Sequence, residues 1–136
     1  MKKYIFACVH NAGRSQMAAA WFDLLADPAK ALAVSAGTRP AHRVHPEVVT
    51  VMREVGVDLA NTSPRHLTSG LAADATLLVT MGCGEGCPRV PGLKVIDWPT
   101  LDPKGQSVET VRHIRDELGA RVRALVAEEG VGKASP

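Results

Sequence analysis

Three cysteines stand in the 136-residue chain, and the first opens the stretch Cys8-Val9-His10-Asn11-Ala12-Gly13-Arg14-Ser15. A short apolar run, Tyr4 to Val9, leads into it, and a helix-like run, Gln16 to Leu25, leads out. A cysteine therefore ends a strand, a loop of small residues follows, and an arginine and a serine open a helix. Backbone N–H groups of Val9, His10, Asn11, Ala12, Gly13 and Arg14 can converge on an anion in such a loop, and the helix N-terminus adds positive potential. A thiol placed in that field becomes more acidic. Arg14 can grip two oxygens of a tetrahedral oxyanion with its planar fork. Ser15 can donate a hydrogen bond to a thiolate. A lone cysteine near a strand end is by default a small buried hydrophobe. The spacing Cys-x5-Arg-Ser at a strand-to-helix junction argues instead for a nucleophilic thiolate aimed at a bound phosphate-like ion.

The other two cysteines lie in Gly82-Cys83-Gly84-Glu85-Gly86-Cys87-Pro88. Three readings compete. Structural zinc wants four ligands, and none of the five histidines pairs with the cysteines at a familiar spacing. Inert buried thiols fit poorly among so many glycines. A redox pair needs Cα atoms about 5.5 Å apart, and glycine allows the backbone to adapt to that. The redox reading is favoured, and electron counting links it to Cys8. A phosphatase needs one nucleophilic cysteine and a general acid. Reducing an oxyanion by two electrons takes two thiols, which leave as one disulfide. A third thiol can pass that disulfide to an external reductant.

Apolar periodicity shows which elements must position these groups. Lys3 to Val9 reads as a central strand, continuous and apolar as both-face burial requires. Arg14 to Ala26 reads as a helix, with Met17, Trp21, Leu24 and Leu25 at helical spacing and Trp21 and Phe22 as core. Leu32 to Ala36 is a second strand. A helix opens at Pro46, with Val48, Val51, Met52 and Val55 on one side and Gly56 as its stop. Thr68 caps a short helix to about Ala73. Ala75 to Met81 and Leu93 to Ile96 are strands three and four. Ser107 caps a long last helix with Val108, Val111, Ile114, Leu118, Val122 and Leu125 on one face, and Arg112, Arg115, Arg121 and Arg123 as a solvated face. Alternating strands and helices argue for a parallel sheet with helices on both faces. Ligands bind at the carboxyl ends of such strands, which is where Cys8, Cys83 and the loop holding Asp102 all fall.

Length predicts one domain, residues 1–129, followed by a flexible tail over 130–136. The net charge of +2 gives no argument for nucleic acid. No apolar run approaches the roughly 20 residues that cross a bilayer. The N-terminal apolar run is short, meets His10, Asn11 and Arg14, and lacks a cleavage region, so it reads as a strand rather than a signal peptide. An odd cysteine count does not suit a secreted disulfide framework, and a cytoplasmic protein is expected.

The loop Cys8 to Ala18 resembles that of the low-molecular-weight tyrosine phosphatases, and more closely that of the thioredoxin-coupled arsenate reductases built on the same fold. Ser35-Ala36-Gly37-Thr38, Val79-Thr80-Met81-Gly82-Cys83, Cys87-Pro88 and Asp102-Pro103-Lys104-Gly105 extend the resemblance over about residues 3 to 128. The loop is shared with phosphatases; loop, cysteine pair and Asp102-Pro103 together point to the reductases. The resemblance implies a four-stranded parallel sheet of order 2-1-3-4. It implies that Cys8 attacks arsenate held by the loop and Arg14, and that Asp102 protonates the departing oxygen. Cys83 would then attack Cys8, and Cys87 would attack Cys83, leaving a Cys83–Cys87 disulfide for thioredoxin. Ser15 would stabilise the thiolate, and Asn11 would hold the loop's shape. The resemblance implies no bound cofactor and no metal, and a monomer is expected.

Some residues depart from the pattern. Many relatives have another cysteine where this chain has Gly13. The potassium-binding branch has acidic side chains where this chain has Ala19 and Arg65, so no such site is expected. Cys83-x3-Cys87 is tighter than the spacing in that branch, and some relatives use a small thiol such as mycothiol in place of the relay. The phosphatases carry tyrosines beside the acid loop, whereas Tyr4 is the single tyrosine here. The alternatives are a phosphatase, a reductase served by mycothiol or another small thiol, and a non-catalytic protein that binds arsenite or zinc.

Overall fold

The computed structural model describes residues 1–82 and 90–133. In chain order these form β1 (Lys2–Cys8), α1 (Arg14–Leu25), β2 (Ala31–Gly37), α2 (Pro46–Arg53), α3 (Ser69–Ala72), β3 (Leu77–Thr80), β4 (Lys94–Asp97) and α4 (Val108–Glu129). The strands make one parallel sheet in the order β2-β1-β3-β4. This is the architecture and order expected, with element ends shifted by a residue or two where chain ends fray.

β1 lies between two neighbours, and its alternating side chains enter two cores. Tyr4, Phe6 and Cys8 join the larger cluster, with Met17 and Phe22 of α1, Val48 and Met52 of α2, and Leu118 and Val122 of α4. Ile5 and Ala7 join the smaller one, with Ala36, Leu67, Ala72 and Leu78. Both faces of β1 are thus buried, which explains its unbroken apolar run. Phe22 packs its ring on Tyr4 and Phe6, with centroids 4.9 and 5.7 Å away.

The helices are fixed by local chemistry. The Thr68 hydroxyl accepts from the Leu71 N–H at 3.0 Å, and the Ser107 hydroxyl accepts from Thr110 N–H at 3.2 Å, so both expected caps form. Trp21 is half-buried between α1 and α4, and its indole N–H donates to the Arg115 carbonyl at 3.0 Å. Gly119 permits that approach, since a Cβ there would lie 2.9 Å from the indole.

Three expectations need correction. Val108 is exposed, because it sits in the first turn of α4, ahead of the buried stripe that begins at Val111. Arg115 is not a solvated side chain: it donates to the Val51 carbonyl at 2.9 Å and to Glu54 at 2.7 Å, joining α4 to α2. The flexible tail was expected from residue 130, yet Val131 is buried and its carbonyl accepts from the Asp27 N–H at 2.8 Å. Gly130 turns the chain there in the left-handed conformation (φ 67°), which carries it back towards the end of α1. Residues 134–136 lie outside the described part.

Candidate active site

The loop from Cys8 to Ser15 leaves the carboxyl end of β1 and enters α1. Its carbonyls are held from outside. Those of Cys8, Val9, His10 and Ala12 accept from the N–H groups of Thr38, Arg39, Ala41 and His45 at 3.3, 2.8, 2.9 and 2.9 Å. The Asn11 carbonyl accepts from the Gln16 side chain at 3.0 Å. No peptide here is cis, so each N–H points away from the carbonyl of its own peptide plane. The N–H groups of Val9, His10, Asn11, Ala12 and Gly13 lie on the opposite edges of those peptide planes from the bonded carbonyls. No side chain caps α1 at Gly13. A loop braced in this way at a helix start has the chemistry to present donors to an anion. Gly37 lets the outer segment come close: a Cβ there would lie 2.6 Å from the Val9 carbonyl oxygen and 2.8 Å from the Asn11 nitrogen.

A chain of hydrogen bonds orients the serine beside the cysteine. The Asn11 side-chain oxygen accepts from the Arg65 N–H at 2.8 Å and from the Gln16 amide at 3.2 Å. Its nitrogen must then face the Ser15 hydroxyl, 2.7 Å away, and donate to it. The Ser15 hydroxyl lies 2.9 Å from the Cys8 sulfur, and it can donate to a thiolate there. Cys8, Asn11 and Ser15 are all buried. Asn11 holds φ 50°, a left-handed conformation that asparagine tolerates better than most residues.

Arg14, also buried, reaches out of the cradle. One guanidinium nitrogen donates to the Thr100 carbonyl at 3.2 Å, and the other lies 3.8 Å from the Asp102 carboxylate. The guanidinium rests on Gly82, where a Cβ would fall 2.7 Å from Nη1 and φ is +89°. Asp102 is itself oriented by a tight turn. Its Oδ1 accepts from the Lys104 N–H at 3.0 Å, the Pro103 carbonyl accepts from the Gln106 N–H at 3.1 Å, and Gly105 takes φ +74° in between. The second oxygen, Oδ2, is the one that faces Arg14.

His45 stands beside this turn, half-buried, and was not singled out from the sequence. Burial pushes its imidazole below the ordinary histidine range, against the carboxylates of Asp102 and Glu47, which act to raise it. Gln16 and Thr100 likewise entered no role on sequence alone; Arg65 entered only as an argument against a potassium site, and Pro103 only as the neighbour of Asp102. A cavity of about 470 Å³ opens behind the loop, lined by Gln16, Ala19, Asp23, Ser35 and Arg65 among others, and Cys8 does not line it. No group of three His, Cys, Asp or Glu side chains is placed to hold a metal among the described residues. Of the sequence-derived residues, the structure brings Cys8 to Ser15 and Arg14 to Asp102. Cys83 and Cys87 lie outside the described residues; the chain reaches them directly from Gly82.

Comparison with known proteins agrees with this geometry. The family model of low molecular weight phosphotyrosine protein phosphatases matches residues 3–134. A Halobacterium salinarum protein assigned as an arsenate reductase is 40% identical over 93% of this chain and 92% of its own length. The glutaredoxin arsenate reductase of a Synechocystis species is 34% identical over 94% of this chain and 98% of its own. The solved thioredoxin-dependent arsenate reductase of Corynebacterium glutamicum superposes with a TM-score of 0.81 at 34% identity, covering 94% of this chain and 61% of that one. This chain thus spans about three fifths of that protein.

Proposed function

The chain belongs to the low molecular weight phosphotyrosine protein phosphatase family, among its arsenate reductases, and we propose that it works by a three-thiol relay regenerated by thioredoxin. The attack by Cys8 is supported by the chain Asn11–Ser15–Cys8 in the loop and by Asp102 lying 3.8 Å from Arg14, and the relay by the pair Cys83 and Cys87 in the sequence.

Arsenate enters the ring of N–H groups, and Arg14 turns from the Thr100 carbonyl to grip its oxygens. The Cys8 thiolate, steadied by the Ser15 hydroxyl, attacks arsenic. Asp102 gives its proton to the departing oxygen, which leaves as water, and a Cys8–arsenic(V) bond remains. Cys83, as thiolate, attacks the Cys8 sulfur. The electron pair of the S–As bond passes to arsenic, which leaves as arsenite, and a Cys8–Cys83 disulfide forms. Cys87 attacks Cys83, freeing the Cys8 thiolate and forming Cys83–Cys87. A dithiol protein then takes up that disulfide. The name of the Corynebacterium relative supports thioredoxin in that place, and the name of the Synechocystis relative supports glutaredoxin as the competing reductant.

The relay is tested by one turnover with arsenate in the Cys87→Ser variant, followed by mass spectrometry of alkylated peptides. A Cys8–Cys83 bridge should accumulate. A Cys8 adduct with an added small thiol, or full activity in Cys83→Ser, would overturn the relay. Steady turnover with thioredoxin, its reductase and NADPH, but not with glutaredoxin and glutathione, identifies the reductant. A phosphatase reading shares the cradle but gains nothing from the surroundings: Tyr4 is buried in the core, bonded to Glu129 at 2.8 Å.

A further inference from the structure

Gly13 is not a glycine of the positive-φ kind, since its φ is −143°, although its ψ of −89° lies outside the β and right-handed helical regions. It is also a place of close contact. A Cβ on Gly13 would lie 2.5 Å from Pro103 Cγ, 3.3 Å from Pro103 Cδ and 3.5 Å from His45 Cδ2. The proline ring therefore stands directly on the bare Cα of the cradle, with the histidine ring closing one side. Both Gly13 and Pro103 are buried. Pro103 is also the residue next to Asp102, in a turn closed by the Lys104 and Gln106 N–H groups. Pro103 is bonded directly to Asp102 within that turn, so a shift of the ring on Gly13 is passed to the Asp102 carboxyl.

We propose that Gly13 is the positioning residue for the general acid: its missing side chain is the seat on which Pro103 rests, and the seat places Asp102 over the oxygen that leaves. The proposal rests on the reading of Asp102 as that acid. Carbon atoms pack at about 3.5–4.0 Å, so a methyl group on Gly13 lifts the ring by roughly 1 Å. The ring cannot slide freely towards His45, which already occupies that side. A misplacement of that size costs on the order of 10²-fold in a step that depends on alignment. The cradle's outward carbonyl bonds do not pass through Pro103, so oxyanion binding should survive the change.

The experiment compares Gly13→Ala, Pro103→Ala and the double variant in single-turnover arsenate reduction. Affinity for inorganic phosphate is read in parallel, from its protection of Cys8 against iodoacetamide. Gly13→Ala should lose about 100-fold in rate, with a smaller loss of phosphate affinity. Pro103→Ala removes the two crowded atoms, so the double variant should recover to the level of Pro103→Ala alone. A double variant no faster than Gly13→Ala overturns the seat. So does a loss of phosphate affinity as large as the loss of rate, because the methyl group would then act on the cradle itself. If Gly13→Ala does not fold, a folded double variant supports the contact and an unfolded one overturns it. Asp102→Asn separates the two levels. If it is harmless, the acid assignment fails. If it is severe while Gly13→Ala is harmless, the seat alone fails. Combined with Asp102→Asn, Gly13→Ala should cost nothing more.

Discussion

The cradle and the acid loop meet at Arg14, but they are built in opposite ways. The segment from Cys8 to Ser15 is closed on itself and braced on all sides: outer carbonyls bonded to residues 38–45, Asn11 locked by Gln16 and Arg65, Ser15 locked by Asn11. The segment from Trp98 to Gln106 holds its own shape through short-range bonds, yet rests on the cradle through few contacts. These are the Thr100 carbonyl on Arg14, the 3.8 Å approach of Asp102, and the proline on Gly13. The cradle has to present donors to a charge that is present throughout the reaction, so rigidity serves it. On the proposed mechanism Asp102 has to meet a proton acceptor only while a bond breaks, and docking is enough. Damage to the acid loop should therefore cost rate without binding, whereas damage to the cradle should cost binding, rate and stability together.

The largest effect expected on the docked side is from Asp102→Asn. It keeps the turn, since the amide oxygen can still accept from Lys104 N–H, but has no proton of the right acidity to give. Turnover of arsenate should fall about 10²–10⁴-fold, with phosphate affinity unchanged or improved, as the carboxylate facing Arg14 is gone. A loss confined to affinity would place Asp102 in the binding machinery and erase the contrast.

The counterpart on the braced side is Asn11→Ala, set against Asn11→Gly. Alanine must hold φ 50° at about 1–2 kcal/mol, and it strands the Arg65 N–H and the Ser15 hydroxyl for roughly 1–3 kcal/mol. Glycine avoids the first cost and keeps the second. Both variants should alkylate more slowly at Cys8 and bind phosphate more weakly, with alanine the less stable in urea. Equal stability of the two would mean that the left-handed turn is not strained.

What was legible in the chain follows the same division. The cradle could be read because its parts are consecutive, and their types carry the chemistry: a thiol, a fork, a hydroxyl and small residues at a strand end. Its bracing could not. The donor to Asn11 is the backbone N–H of Arg65, 54 positions away, and a backbone group leaves no trace in residue identity. Asp102-Pro103 could be picked out, but not that the proline would stand on Gly13, because seating is a property of two surfaces. The strand β4 was legible and its burial was not. Val95 is 53% exposed, since β4 pairs only with β3 in the described sheet and lies at its edge. Arg115 looked like one more charge on a wet face until Val51 and Glu54 came into its reach.

The smallest effect tests whether the contrast is local to the site. Glu54, at the end of α2, is gripped by Arg112 at 2.8 Å and Arg115 at 2.7 Å, far from the cradle in sequence. Hydrogen bonds from Arg112 and then Arg115 hold its carboxyl at about 2, against the usual 4.5. A carboxylate whose folded value is depressed binds fewer protons folded than unfolded across that interval, so its contribution is complete above about pH 4.5 and fades as pH falls towards 2. Glu54→Gln should therefore lower Tm slightly at neutral pH, with the difference from wild type shrinking as the solution is acidified through that window. Because the carboxylate is at the surface, added salt should shrink it too. Arsenate turnover should not change at any of these points where both proteins are folded. If turnover does fall with Glu54→Gln, the α2–α4 clamp reaches the cradle through His45, whose N–H bonds Ala12 one residue before α2 begins, and the bracing of the loop extends further than its own hydrogen bonds.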